Sequence, residues 1–252
     1  MTPEDFVAAV SDPFQNIGAL HYFGPKAKAA AEGLGIDQFR FYFAGRGGVL
    51  GEVSNEVMQS SFGYFNPQLV AKMWSSSKER CDVTAAAAAQ LQVAYDIGEE
   101  LLVNVSDLGE AATALGALAT SVDVAALPLF AGFLAQPVPE VPTHAFMHQA
   151  ILYRELRGSI HLAAIAATGC ESRAAHQIKR PKDIQNFGYE DEIELSEAVR
   201  AAYAQVEPLT DTAMIRHCSA ALSAEQRAQI ATTVEAAASA LQDAVTALLA
   251  SS

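Results

Sequence analysis

Between His144 and Ala166 the chain reads HAFMHQAILYRELRGSIHLAAIA, which has the length and residue types of a helix but no wide polar face. Ile151, Leu152, Leu156, Ile160, Leu162 and Ile165 surround that helix instead of forming one stripe, the pattern of an element covered on every side. Yet Arg154, Glu155, Arg157 and His161 place four ionisable groups within eight residues of it. Any fold built from this chain must therefore wrap other elements around 144–166 and give its charges partners. A buried charge left unpaired is among the most costly features a structure can contain.

The remaining elements are expected to be helices as well. Alanine supplies 49 of 252 residues; it is the strongest helix former and is depleted in strands. No period-2 run of β-branched residues extends more than a few positions, so the fold class is all-α. Punctuation places helices at 25–33 (Pro25 to Gly33), 55–64 after Ser54, 67–74 from Pro67 to Trp74, 82–103 and 107–121. The aromatic segment FRFYFAGR after Asp37 suits either helix or strand. Pro137, Pro139 and Pro142 cannot lie within a helix and mark an extended connector, 136–142. It separates an N-terminal helical half, 1–135, from a C-terminal half, 143–252. In the second half, helices are expected at 144–168 capped by Thr143, then 171–179, 182–187, 189–206 and 208–218. The last, 224–250, opens with a Ser223/Gln226 capping box.

Composition excludes several functions. Twenty-nine acids against sixteen bases give a net charge of −13, which disfavours a general polyanion binder. No apolar run approaches the roughly 18 residues of a membrane span, and MTPEDFVAAVSDP lacks the pattern of a signal peptide. Three scattered cysteines, Cys81, Cys170 and Cys218, form no disulfide or zinc framework and fit a cytoplasmic protein.

Three constellations carry chemistry. On the central helix, His144, His148 and Glu155 fall within about 40° of one another, and Arg154 and His161 share a second stripe. Two histidines four apart suit a metal, although H-x-x-x-H alone is common, and no metal is assigned. Arg154 or Arg157 could hold an anion while His161 moves a proton and Glu155 orients it or an arginine; a structural salt-bridge network is the more economical reading of the same residues. The second constellation, 21–74, gathers Tyr22, Tyr42 and Tyr64 with many phenylalanines, and Arg46 before Gly47-Gly48. It is either plain core or an apolar ligand slot with Arg46 at its polar end; GRGGVLG lacks the G-K-[ST] ending of a phosphate loop. Third, 161–182 has the spacing of a helix-turn-helix, and Arg173, His176, Lys179, Arg180 and Lys182 make it the most basic window. The acidic stretch GYEDEIELSE directly follows. Cys170, at a helix start, is a weak thiolate candidate.

HYFGPKAKAAAEGLG, FYFAGRGGVLG, YFNPQLV, HQAILYRELRGSIHLAA and PLTD together resemble a mainly actinobacterial, largely uncharacterised family known by a helix-turn-helix-like domain. The likeness spans most of 15–215. Its most specific block reads Leu-Arg-Glu-His-Arg-Gly-Asp-Gly-His in that family; Arg154, Glu155, Arg157, Gly158 and His161 fit it, while Ser159 replaces the aspartate. Tyr22, Tyr42, Arg46, His148, Thr210 and Asp211 also match. Relatives carry a histidine at the position of Gly18, whereas this chain has His21, and the winged hairpin expected after about 195 is missing. The resemblance implies a fold and no settled activity.

These readings converge on a helical protein that binds a small molecule, as a receptor or as an enzyme, with its site between the halves. Its ligand-binding set is Tyr22, Tyr42, Arg46, Tyr64, His148, Arg154 and Arg157, with His161 and Glu155 as the catalytic pair; the cofactor is undetermined. A helix-turn-helix regulator using 161–182 and bound to DNA is the alternative, and a homo-oligomeric interaction protein built on the alanine-rich last helix is a second.

Overall fold

The computed structural model describes residues 1–250, the side chains of 245–250 excepted. Among the described residues every regular element is helical and none is a strand. In chain order the helices are α1 (Pro3–Ile17), α2 (Pro25–Gly33), α3 (Gln38–Gly47), α4 (Asn55–Ser61), α5 (Pro67–Lys78), α6 (Val83–Leu101) and α7 (Leu108–Ser121). They continue with α8 (Pro128–Leu134), α9 (Pro142–Ala167), α10 (Ser172–Lys179), α11 (Glu197–Tyr203), α12 (Val206–Ala221) and α13 (Ala224–Ala250). A single 3₁₀ turn at Leu20–Tyr22 joins α1 to α2, and another at Gly48–Leu50 follows α3.

Local chemistry explains most starts. Thr2, Asp37, Ser54, Asn66 and Asp82 each accept a backbone N–H from the first turn of the helix they precede, satisfying donors that have no intrahelical partner. The Ser223/Gln226 capping box forms as expected: the Ser223 N–H donates to Gln226 Oε1 at 2.8 Å, and the Gln226 N–H donates to Ser223 Oγ at 3.2 Å. The ambiguous aromatic segment is helical. Asp37 caps it, and its aromatic side chains find apolar neighbours around a full turn, so β propensity is overridden by packing.

Several boundaries differ from expectation. α4 stops at Ser61 rather than 64, because Phe62 leaves helical geometry and turns, with Phe65, into the aromatic core. α5 runs on past Trp74 to Lys78, the indole N–H donating to the Val53 carbonyl. α9 begins on Pro142, one residue before the anticipated Thr143 cap, and no side chain caps it. Pro142 supplies no N–H, so the helix needs one partner fewer there. Segment 182–187 is a series of turns, and within 189–206 only Glu197–Tyr203 and the start of α12 are helical. Gly188 sits at φ 85°, and the Ile193 backbone bonds both ways to the Gln177 side chain, which holds this stretch extended. α1 and α8, unannounced by any strong signal, complete the core with Phe6, Phe14, Phe130 and Phe133.

α9 lies at the centre. It packs against α1, α6, α7 and α8, and on another side against α12, with α10 at its end. Every residue from Ala145 to Tyr153 is buried, a run that takes in the whole circumference of the helix. One continuous apolar core runs from Phe6 to Leu241, and a smaller cluster around Ile165, Ala175 and Val206 joins α9, α10 and α12. α3 crosses α6 at very close range: a Cβ placed on Gly48 would stand 1.9 Å from the Val83 carbonyl oxygen. Because that neighbour is backbone, Gly48→Ala should destabilise by about 3 kcal/mol. Gly33→Ala, where nothing lies within 4 Å, should be neutral or stabilise by up to about 1 kcal/mol. Urea unfolding of the two variants checks this.

Candidate functional site

Glu155 projects from the middle of α9 and is wholly buried. Arg46, from the last turn of α3, meets it in a fork, Nε to Oε1 at 3.0 Å and Nη2 to Oε2 at 2.8 Å. Arg154 adds Nη1 to Oε1 at 2.6 Å, and the Tyr22 hydroxyl donates to the same oxygen at 3.1 Å. Arg154 Nη1 also donates to the Tyr22 oxygen at 2.8 Å, and Arg46 Nη1 to the Tyr42 hydroxyl at 3.3 Å. Aromatic faces line the guanidiniums: Arg46 lies over Phe62 at 4.7 Å and Arg154 over Tyr22 at 4.9 Å. Burial alone would raise the Glu155 pKa, but Arg46 and then Arg154 overrule it and hold the carboxyl down at about 2. Burial would lower Arg46, and the facing carboxylate raises it well above its ordinary value. The cluster is thus ionised throughout, with two cations and one anion.

His161, two turns further along α9, belongs to a separate group. Thr210 Oγ1 donates to the Val206 carbonyl at 2.8 Å, so toward His161 Nδ1, 3.2 Å away, it can only accept. Nδ1 is therefore assigned the proton, and Nε2 accepts from the Tyr64 hydroxyl at 2.6 Å. Burial, then Lys179, lowers the His161 pKa to about 4, so the imidazole is neutral near pH 7. Beside it Arg157 donates to Glu207 at 2.8 Å and Asp211 at 3.0 Å, and Lys179 reaches Glu207 at 2.5 Å. Glu155 orients arginines and makes no hydrogen bond to His161.

The other residues singled out in the sequence divide differently. His148 bonds the Tyr95 hydroxyl at 2.8 Å through Nδ1, and His144 stacks on the same ring and pairs with Glu99, away from Glu155. Among the described residues no three His, Cys, Asp or Glu side chains gather as a metal site. Cys170 is buried, and burial with Glu171 pushes its thiol up, the reverse of the activation that its helix-start position suggested. On α10, Arg173 stacks on Tyr189 and donates to the Asp191 carbonyl, while Gln177 clasps Ile193; the acidic stretch 189–194 is thereby laid along this helix. Arg180 and Lys182 remain exposed. Glu207, the hub of the second group, carried no motif of its own; the four-residue spacing to Asp211 on one α12 face, opposite an arginine, is the signal that would reveal it.

An all-helical body organised around a buried arginine–carboxylate cluster, with a helix–turn–helix at the α9–α10 junction, defines the class of protein. The chain belongs to a helix-turn-helix family, whose sequence profile matches residues 7–186. No curated protein and no solved structure matches it. No described helix is long and apolar enough to cross a membrane.

Two outcomes follow from this geometry. Glu155→Gln leaves two buried guanidiniums facing each other and should cost about 3–5 kcal/mol, read as a fall in the urea midpoint. His21, His148 and His161 have folded pKa values lowered to about 3, 4 and 4 from 6.5, His148 by burial, His21 by burial and then Arg154, and His161 by burial and then Lys179. The unfolded chain therefore binds more protons below pH 6.5. Stability is full above that pH and declines toward pH 4, each histidine adding a slope of up to about 1.4 kcal/mol per pH unit. Unfolding curves at pH 7.5, 6 and 5 measure the decline, and His148→Gln should remove one histidine's share.

Proposed function

We propose that this protein binds a small anionic molecule at the Arg46–Arg154 cluster between the N-terminal half and α9. The observation that carries this reading is the charge count: Arg46 and Arg154 share the single carboxylate of Glu155, and their side chains are only 12% and 17% exposed. One positive charge is left over in aromatic surroundings. Leaving it uncompensated is unfavourable, and a ligand carboxylate or phosphate supplies the missing partner with charge-assisted hydrogen bonds. Tyr22 and Tyr42 supply hydroxyls and ring faces at the same place. His161, with Tyr64 as its hydrogen-bond donor, is the group available for proton transfer should the ligand be turned over, and Arg157 acts with Glu207 as its support.

The family match favours a second reading, DNA binding through 161–182. Arg180 and Lys182 are exposed for it, whereas Arg173 and Lys179 are occupied by the acidic stretch and by Glu207. Thermal melts with acetate, benzoate and inorganic phosphate separate the two. A ligand at one hundred times its Kd adds about 2.7 kcal/mol, or about 5–10 °C for a chain of this size. We expect at least one anion to produce such a rise in the wild type and none to do so in Arg154→Met. No shift with any anion, together with salt-sensitive DNA binding at low ionic strength, would replace the first reading by the second.

A further inference from the structure

We infer that the anion is the carboxylate of a planar aromatic acid, its ring taking the place of Phe23 on Tyr42 and its carboxylate the unused edge of Arg154. This rests on the anion reading above and narrows it to one chemical class.

Three observations lead there. Both hydrogen bonds of Arg154 leave from Nη1, and among the described residues its buried Nε meets no acceptor. The Nε/Nη2 edge of a guanidinium is the side that grips a carboxylate through two parallel bonds. Nothing else in the described cluster competes for it, since both oxygens of Glu155 are already held.

Next to it stands His21, fully buried, its ring 4.3 Å from that of Tyr22, with neither nitrogen hydrogen-bonded to any described residue. A neutral imidazole has one donor and one acceptor, and each left unmet in a dry interior costs about 1–3 kcal/mol. An unpartnered polar group so deeply buried calls for an occupant with polar atoms beside Tyr22.

The third observation is Phe23. It is 53% exposed although it is a large apolar side chain, and it stacks on Tyr42 with centroids 5.7 Å apart and planes inclined by 17°. Tyr42 in turn meets Tyr22 edge-on at 4.9 Å, so the ring face under Phe23 adjoins the ring under Arg154. Phe23 already shows that this face accepts a flat ring. The following residue, Gly24, has φ 109° and open space on its Cβ side, while its carbonyl is held by Gln38 Nε2 at 2.9 Å, so Phe23 yields by swinging its exposed side chain and the backbone stays in place. On the opposite side there is no slack: a Cβ on Gly18 would lie 2.9 Å from the Ala150 carbonyl and 3.0 Å from the Arg154 side chain. Arg154 is held in place from behind, which favours entry from the Phe23 side.

Isothermal titration of the wild type, Phe23→Ala and Arg154→Met with benzoate, cyclohexanecarboxylate and acetate tests the inference. Benzoate should bind the wild type at least tenfold more tightly than either other acid. Phe23→Ala, a change at an exposed position, should bind benzoate several-fold more tightly, because no side chain then competes for Tyr42. Arg154→Met should lose binding, with its helical circular dichroism confirming that it is folded. Equal, Arg154-dependent binding of all three acids would overturn the aromatic class and leave the anion site standing. Unchanged or weaker benzoate binding by Phe23→Ala would overturn the place assigned to the ring. No binding of any acid to the wild type or to Phe23→Ala would remove both readings.

Discussion

The ion cluster at Glu155 is the constraint on which the rest of this structure turns. A carboxylate with no exposure to water survives in the middle of α9 only because a guanidinium and a phenol from other parts of the chain join the guanidinium of its neighbour Arg154 around it. Arg46 arrives from α3, Tyr22 from the turn after α1, and both must be delivered to within hydrogen-bonding distance. The N-terminal helices are therefore oriented by the demands of one central side chain. The same cluster carries the proposed site: because the arginines outnumber the acid, the feature that positions the helices also leaves one positive charge in excess.

Close backbone approach is the second requirement. α3 can bring Arg46 to α9 only if it lies deep against α6, and Gly45 and Gly48 make room there for Gln90 and the Val83 carbonyl. Gln90, buried, returns a hydrogen bond to the Phe41 carbonyl at 3.1 Å, tying the crossing together. Small residues in a segment otherwise rich in rings serve the same end as the ion cluster. Two turns further along α9, His161, Tyr64 and Thr210 join the N-terminal half to α12 by neutral hydrogen bonds. The central helix is thus anchored at two levels by different chemistry.

The helix-turn-helix segment is more enclosed than its sequence implies. Gln177 clasps the backbone at Ile193 and Arg173 lies on Tyr189, so part of the basic window is spent on holding the acidic stretch that follows it. A net charge of −13 is consistent with that internal use of cations. Membership of a helix-turn-helix family describes the supersecondary element and leaves its partner to be argued from exposed side chains.

Much of this was legible in the sequence. Capping residues and prolines located α2, α5 and α6 to within a few positions, because an N-cap bond is made by residues two or three apart, a proline fixes its own φ, and neither owes much to the fold. The absence of a polar face on 144–166 announced a central helix, and four charges within it announced partners. Which partners these were could not be read. Arg46 and Glu155 are 109 residues apart, and His161 and Thr210 are 49 apart. The extended course of 188–196 depends likewise on Gln177, a residue on another element. Sequence alone determined the helical class, several of the helix starts and the presence of a buried charged helix, since propensity, capping and periodicity act over a few residues. Only the tertiary structure decided that Glu155 would take two arginines while His161 took a tyrosine, because long-range pairing follows from how the helices cross.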